Sequence, residues 1–71
     1  MRFAVYDTNG RSRDVTCDID ADLFRSLLSS FKTHCVIEKS AYEWNHFVNW
    51  MRQRGFDIKN CGMEESIRVD M

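Results

Sequence analysis

Two alternating apolar runs flank an Asn-Gly pair near the N-terminus, and this arrangement constrains the fold more than any other feature. One run begins at Phe3, before Asn9 and Gly10, and the other covers residues 15–19. A period of two is typical of a strand with one buried face, and Asn-Gly is common in two-residue hairpin turns. The sequence therefore predicts a β-hairpin over residues 2–19.

The register of this hairpin is set by burial, because cross-strand partners share a face of the sheet. A two-residue loop at Asn9 and Gly10 would place Val5 opposite Asp14 and separate the two apolar sets. A loop with an odd number of residues pairs Val5 with Val15 and Phe3 with Cys17, and the apolar side chains then form one face. We expect burial to override the turn preference and give a three- or five-residue loop or a bulge.

A first helix is predicted over residues 20–34. Its apolar residues recur at helical spacing, and they are Leu23, Phe24, Leu27, Leu28 and Phe31. Asp18 or Asp20 is expected to cap its start, with Asp22 near the positive end of the helix dipole. Residues 35–38 are too short for periodicity to decide between a buried connector and a very short strand.

A second helix is predicted over residues 41–54. Ser40 and Glu43 fit a capping box, and Gly55 offers a left-handed residue at the end, with Phe56 folding back on Met51. The predicted core stripe consists of Trp44, Phe47, Val48 and Met51.

A closing strand is predicted in the tail from residue 63 to 71. Ile67, Val69 and Met71 alternate with polar residues there, which is typical of a strand with one wet face. We therefore predict a single small α+β domain covering residues 1–71, with the order ββααβ and both helices on one face of the sheet. An additional short strand is considered at residues 35–38 or 56–59.

The size of the chain limits its stability and the functions it can perform. A domain of 71 residues buries only about 60% of its extended surface, so its free energy of unfolding is small. Binding to a partner, or self-association as a homodimer, would add to this stability. We find no apolar run long enough to span a membrane. An acidic residue at position 7 interrupts any signal peptide, and three cysteines suit a reducing compartment. We expect a cytoplasmic protein without a membrane partner.

The sequence favours neither catalysis nor a cofactor. The cysteines and histidines lack the spacing of structural zinc sites. Adjacent His34 and Cys35 lack a named third group that would orient a base toward a nucleophile. The run of Asp18, Asp20 and Asp22 lacks the Gly and Glu that complete a calcium loop. We therefore predict a protein that is not an enzyme and holds no cofactor or metal.

The surplus of aromatic residues suggests a binding surface. On a helical projection with Trp44 at zero, Trp50 falls at about 240° and Tyr42 at about 160°, outside the predicted core stripe. The alternative for Trp50 is that a loop or residues 35–39 cover it and make it a core residue. Arg54 lies one turn after Trp50 and can cover its ring. Tyr, Trp and Arg are enriched at binding hot spots. We predict a non-catalytic interaction or regulatory protein whose partner, another protein or a second copy, binds Tyr42, His46, Trp50 and Arg54.

Nucleic-acid binding is the alternative function. Its candidate residues are at the hairpin tip and at the basic end of the second helix, and they are Arg11, Arg13, Arg52, Arg54 and Lys59. The second helix also carries Asn45, Asn49 and Gln53, and such side chains recognise base edges. The formal net charge of -1 opposes strong non-specific binding to phosphate.

Overall fold

A four-stranded mixed sheet with both helices packed on one face makes up the fold. A computed structural model describes residues 1–62 and 65–71. The elements, in chain order, are β1 (Arg2–Tyr6), β2 (Ser12–Thr16), α1 (Ala21–Glu38), α2 (Trp44–Gln53), β3 (Lys59–Asn60) and β4 (Ile67–Asp70). The strand order is β3-β2-β1-β4. The predicted α+β class is confirmed.

The hairpin has the predicted parity but a different register. Tyr6 pairs with Ser12 and Phe3 with Val15, so the apolar residues share one face as burial requires. The predicted pairing of Phe3 with Cys17 is wrong by two positions. Asp7 explains the shift: its carboxylate accepts hydrogen bonds from the backbone N–H of Arg11 at 3.0 Å and from that of Asn9. With this Asx-type turn, each β1 residue pairs with a β2 residue two positions nearer the loop than predicted. A shift of two residues preserves the buried face.

Helix α1 ends four residues later than predicted and includes residues 35–38. Both predictions for that segment, a connector and a strand, are wrong. Cys35 is in helical phase with Phe31 and is buried, and no Gly or Pro interrupts the run before Lys39. Lys39 ends the helix in a left-handed conformation with φ 53°. At the start, Asp20 caps the helix as predicted and accepts from the backbone N–H of Leu23 at 2.8 Å.

Helix α2 begins three residues later than predicted and lacks the capping box. Ser40 donates its backbone N–H to the carbonyl of Cys35 and therefore belongs to the C-terminal turn of α1. Glu43 is the N-cap residue, and its side chain makes no capping hydrogen bond. The predicted C-terminus is confirmed: Gly55 has φ 89°, and the N–H of Phe56 donates to the carbonyl of Met51 at 3.0 Å, as in a Schellman motif.

The closing strand β4 lies parallel to β1, with Phe3 opposite Ile67 and Val5 opposite Val69. Val69 is buried, while Ile67 and Met71 are half-buried against the core, so the predicted apolar face is confirmed. The strand begins at residue 67, and residues 63 and 64 of the predicted tail lie outside the described residues. Of the additional strand considered at residues 56–59, only Lys59 is in a strand: β3 has two residues, Lys59–Asn60, and lies antiparallel to β2.

The core lies between the sheet and the two helices. Phe3 of β1 stacks on Phe24 of α1 with ring centroids 4.3 Å apart, and Phe47 of α2 packs edge-on against Phe24 at 5.8 Å. Across the described residues, no helix is both long and apolar enough to cross a membrane.

Candidate nucleic-acid interface

Trp50 is buried, which contradicts its predicted place on an exposed flank. Its exposed fraction is 6%, and its ring lies 5.6 Å from Phe31 and 6.2 Å from Phe47, measured between centroids. Arg54 covers the Trp50 ring as predicted, since its guanidinium lies 3.9 Å from the ring centroid. Trp50 is therefore a core residue rather than an exposed contact.

The burial of Trp50 follows from a rotation of α2 relative to the prediction. Phe47, Trp50 and Met51 are its buried residues, whereas Trp44 and Val48 of the predicted stripe are half-buried. On a helical projection this displaces the buried direction by about 60°. Residues of α1 cover Trp50 on this side: the Phe31 ring lies 5.6 Å and the His34 ring 6.4 Å from the Trp50 ring, measured between centroids.

The other predicted partner-binding residues have different surroundings. Tyr42 is half-buried, with its ring 5.7 Å from that of Phe31, and burial raises its pKa above the ordinary value. His46 is exposed; its Nδ1 lies 3.0 Å from the carbonyl of Ala41 and its Nε2 lies 3.3 Å from the Glu43 carboxylate. Arg54 is also exposed. The four residues therefore do not form an exposed aromatic surface.

A groove on the opposite flank of α2, between the helix and the β2–β3 edge, brings positive charge together. It encloses about 570 Å³, and we call it the basic groove. Its lining residues are Arg13, Trp44, Asn45, Val48, Asn49, Arg52, Ile58, Lys59 and Asn60. Three cationic side chains and three amides thus line the groove, and none of these lining residues carries a carboxylate.

Each cation comes from a different element. Arg13 of β2 pairs with the inward-facing Val5, so it lies on the helix-facing side of the sheet. Its guanidinium lies 5.1 Å from the Trp44 ring centroid. Arg52 of α2 donates from Nη2 to the carbonyl of Ile58 at 3.2 Å. The Lys59 ammonium of β3 lies 3.4 Å from the Asp57 carboxylate, and both side chains are exposed.

A second cleft adjoins the basic groove and carries negative charge. It encloses about 350 Å³, and we call it the acidic cleft. It shares Arg13, Trp44 and Asn45 with the basic groove, and its own lining includes Asp7 and Glu43. Trp44 therefore lies where a positive region meets a negative region.

The structure brings together part of the predicted nucleic-acid set. Arg13, Arg52 and Lys59 line the basic groove. Arg11 lies in the hairpin loop outside that lining, and Arg54 covers Trp50 on the other flank.

Sequence reasoning missed Trp44 and Asn60 as groove residues. One signal for the site was available: Arg13 is in phase with the buried Val15, which predicts a charge on the helix-facing side of the sheet. The position of Trp44 depended on the rotation of α2, which the sequence pattern does not give.

Comparisons of the chain with family models, curated proteins and solved structures found no match. Among residues 1–62 and 65–71, no group of three His, Cys, Asp or Glu side chains is arranged to hold a metal ion. Any assignment of function must therefore come from the geometry of the chain itself.

Proposed function

We propose that this protein is a non-catalytic nucleic-acid-binding protein and that the basic groove is its binding site. The observation that carries the proposal is the convergence of Arg13, Arg52 and Lys59 from three elements on one groove beside Trp44. Arg and Lys bind phosphate oxygens, and an aromatic ring stacks on bases. A cytoplasmic location remains part of this proposal.

The amides of the groove suit base recognition. Asn45, Asn49 and Asn60 line it together with the cations, and Asn can both donate to and accept from the edge of a base. Because the groove is shallow and open, it suits an unpaired strand whose bases are accessible.

The low net charge of -1 is compatible with a local site of this kind. Three groove cations neutralise few phosphates, and each phosphate contact on a single strand contributes about -0.7 to the slope of log K against log salt. We therefore expect a shallow slope of roughly -2. A strongly basic, non-specific binder would show a steeper dependence.

The direct test is titration of the intrinsic Trp fluorescence with short single-stranded oligonucleotides at low salt. Arg52→Gln should weaken binding about tenfold or more, because a hydrogen bond to a charged group contributes about 1.5–3 kcal/mol. Arg11→Gln is the matched control, since Arg11 is exposed and lies outside the groove. Equal binding by both variants, or no binding by the wild-type protein, would contradict the proposal.

Self-association is a second candidate function, and one observation favours it. Val36 and Ile37 near the end of α1 are 74% and 71% exposed, and exposed apolar patches mark interaction sites. A second copy of the chain would cover them and add to the thin stability margin of a small domain. Light scattering should show a dimer that Val36→Ser with Ile37→Ser dissociates, and a monomeric wild-type protein would exclude this candidate.

A further inference from the structure

The two adjoining clefts have opposite charge, and this difference specifies the ligand more closely. Resting on the proposed function, we infer that the site binds the end of a single strand. One base stacks at Trp44, its phosphate lies in the basic groove, and an amino group of the base faces the acidic cleft. The clefts adjoin at Arg13, Trp44 and Asn45, so one terminal nucleotide can contact both.

The Trp44 ring provides the stacking surface. It is half-buried in the wall of both clefts, which holds it in place while leaving part of it accessible. The Arg13 guanidinium lies over the ring, 5.1 Å from its centroid. Because guanidinium groups also stack on bases, Arg13 can cover a base that takes its place on Trp44.

Each carboxylate of the acidic cleft has one oxygen in contact with a neighbouring group. Asp7 Oδ1 accepts from the backbone N–H groups of Asn9 at 2.9 Å and Arg11 at 3.0 Å. Glu43 Oε1 lies 3.3 Å from Nε2 of His46. These contacts engage one oxygen of each carboxylate, so the other oxygen can accept a hydrogen bond from a ligand.

Two consequences follow for the ligand. Adenine, cytosine and guanine carry an amino group that donates to a carboxylate, whereas thymine and uracil have no amino group and present carbonyl oxygens instead. A phosphate in the acidic cleft would be repelled by Asp7 and Glu43, so continuation of the strand past Trp44 in that direction is disfavoured. The site should therefore prefer a terminal base that carries an amino group to a terminal thymine or uracil, and a strand end to an internal position.

The test compares linear and circular forms of one short single-stranded oligoadenylate, with oligothymidylate and adenosine monophosphate as further probes. Binding is followed by Trp fluorescence and by calorimetry. The linear oligoadenylate should bind at least about tenfold more tightly than the circular form or oligothymidylate. The variant Glu43→Gln should reduce both preferences while Arg11→Gln retains them.

The outcomes separate this inference from the proposed function. If linear and circular strands bind equally, or if Glu43→Gln leaves both preferences intact, end recognition is wrong although the protein still binds nucleic acid. If adenosine monophosphate binds as tightly as the linear strand, the ligand is a free nucleotide and strand-end recognition is overturned. If none of the probes binds at low salt, the proposed function fails together with this inference.

Discussion

The guanidinium of Arg13 lies 5.1 Å from the centroid of the Trp44 ring, and this contact joins the sheet to the exposed flank of α2. An Arg on the helix-facing side of a sheet is normally costly to bury. Here it lies at the end of β2, where it remains exposed and borders both clefts. The proposed function uses this exposed cation as a ligand contact.

Replacing Arg13 with Gln should therefore separate binding from folding. An exposed cation–π contact contributes about 0.5–1 kcal/mol, so we expect a loss of stability no larger than that in urea denaturation. Oligonucleotide binding should weaken about tenfold, because a charged hydrogen-bond donor is lost. A variant that unfolds, or that binds as the wild-type protein does, would show that Arg13 has a different role.

Trp50 should behave as a core residue when replaced. We expect Trp50→Ala to lower the free energy of unfolding by about 3–5 kcal/mol, which is comparable to the whole margin of a domain this small. Trp50→Phe should cost less, since it retains most of the ring and removes the indole N–H, which has no hydrogen-bond partner among the described residues. Circular dichroism during thermal unfolding would measure both changes.

Replacement of Tyr42 is the control for the prediction that Trp50 is a core residue. Tyr42 is half-buried and contacts Phe31 from the edge of the core, so Tyr42→Ala should cost less than Trp50→Ala. A Trp50→Ala variant with wild-type stability would contradict the prediction that the Trp50 ring stabilises the core through its packing against Phe31 and Phe47.

Strand periodicity predicted the fold well because burial is a strong constraint on alternating residues. The shared face of Phe3 and Val15 follows from period two alone, and a shift of two residues does not alter it. The shift itself depended on the side chain of Asp7, whose hydrogen bonds to the loop backbone compete with the preference of Asn9 and Gly10 for a two-residue turn.

Helix boundaries and helix rotation were harder to predict. Ser40 fits the start of α2 in sequence, yet its backbone N–H is used at the end of α1. The apolar residues of α2 span an arc wide enough for either Trp44 or Trp50 to be buried. In the structure Trp50 is buried against α1, where its ring lies 5.6 Å from that of Phe31 and 6.4 Å from that of His34. The candidate site follows from this rotation, so Trp44 could not be assigned to it from sequence alone.

Glycine is required at position 55 because of the backbone conformation there, and not because a side chain would clash with a neighbouring residue. Its φ is 89°, and an added Cβ would meet nothing within 4 Å. We expect Gly55→Ala to destabilise the protein by about 1–2 kcal/mol, because an L-residue with a side chain disfavours the left-handed region by that amount. Gly62→Ala is the control: it too has open space around the added Cβ but does not have a positive φ, so its unfolding midpoint in urea should change little. Equal effects of the two substitutions would contradict this explanation.

The Cys17 thiol should make stability depend on pH in the alkaline range. Burial raises its pKa above the ordinary value of 9.0, so the folded state retains a proton that the unfolded state releases. Its contribution to stability is complete below pH 9.0 and is lost as the pH rises through the higher pKa of the folded state. The free energy of unfolding, measured in urea at several pH values, should therefore decrease above this pH.

Cysteine variants isolate this contribution from that of Tyr42, whose pKa is also raised by burial. Cys17→Ala should flatten the alkaline decrease, although it lowers stability at all pH values by removing a buried side chain. Cys61→Ala is the control and should retain the decrease, because it leaves the Cys17 thiol in place. In the native protein, an alkylating reagent should modify Cys61 before Cys17 or Cys35, both of which are buried. Preferential modification of Cys17 would show that its strand opens more readily than its packing implies.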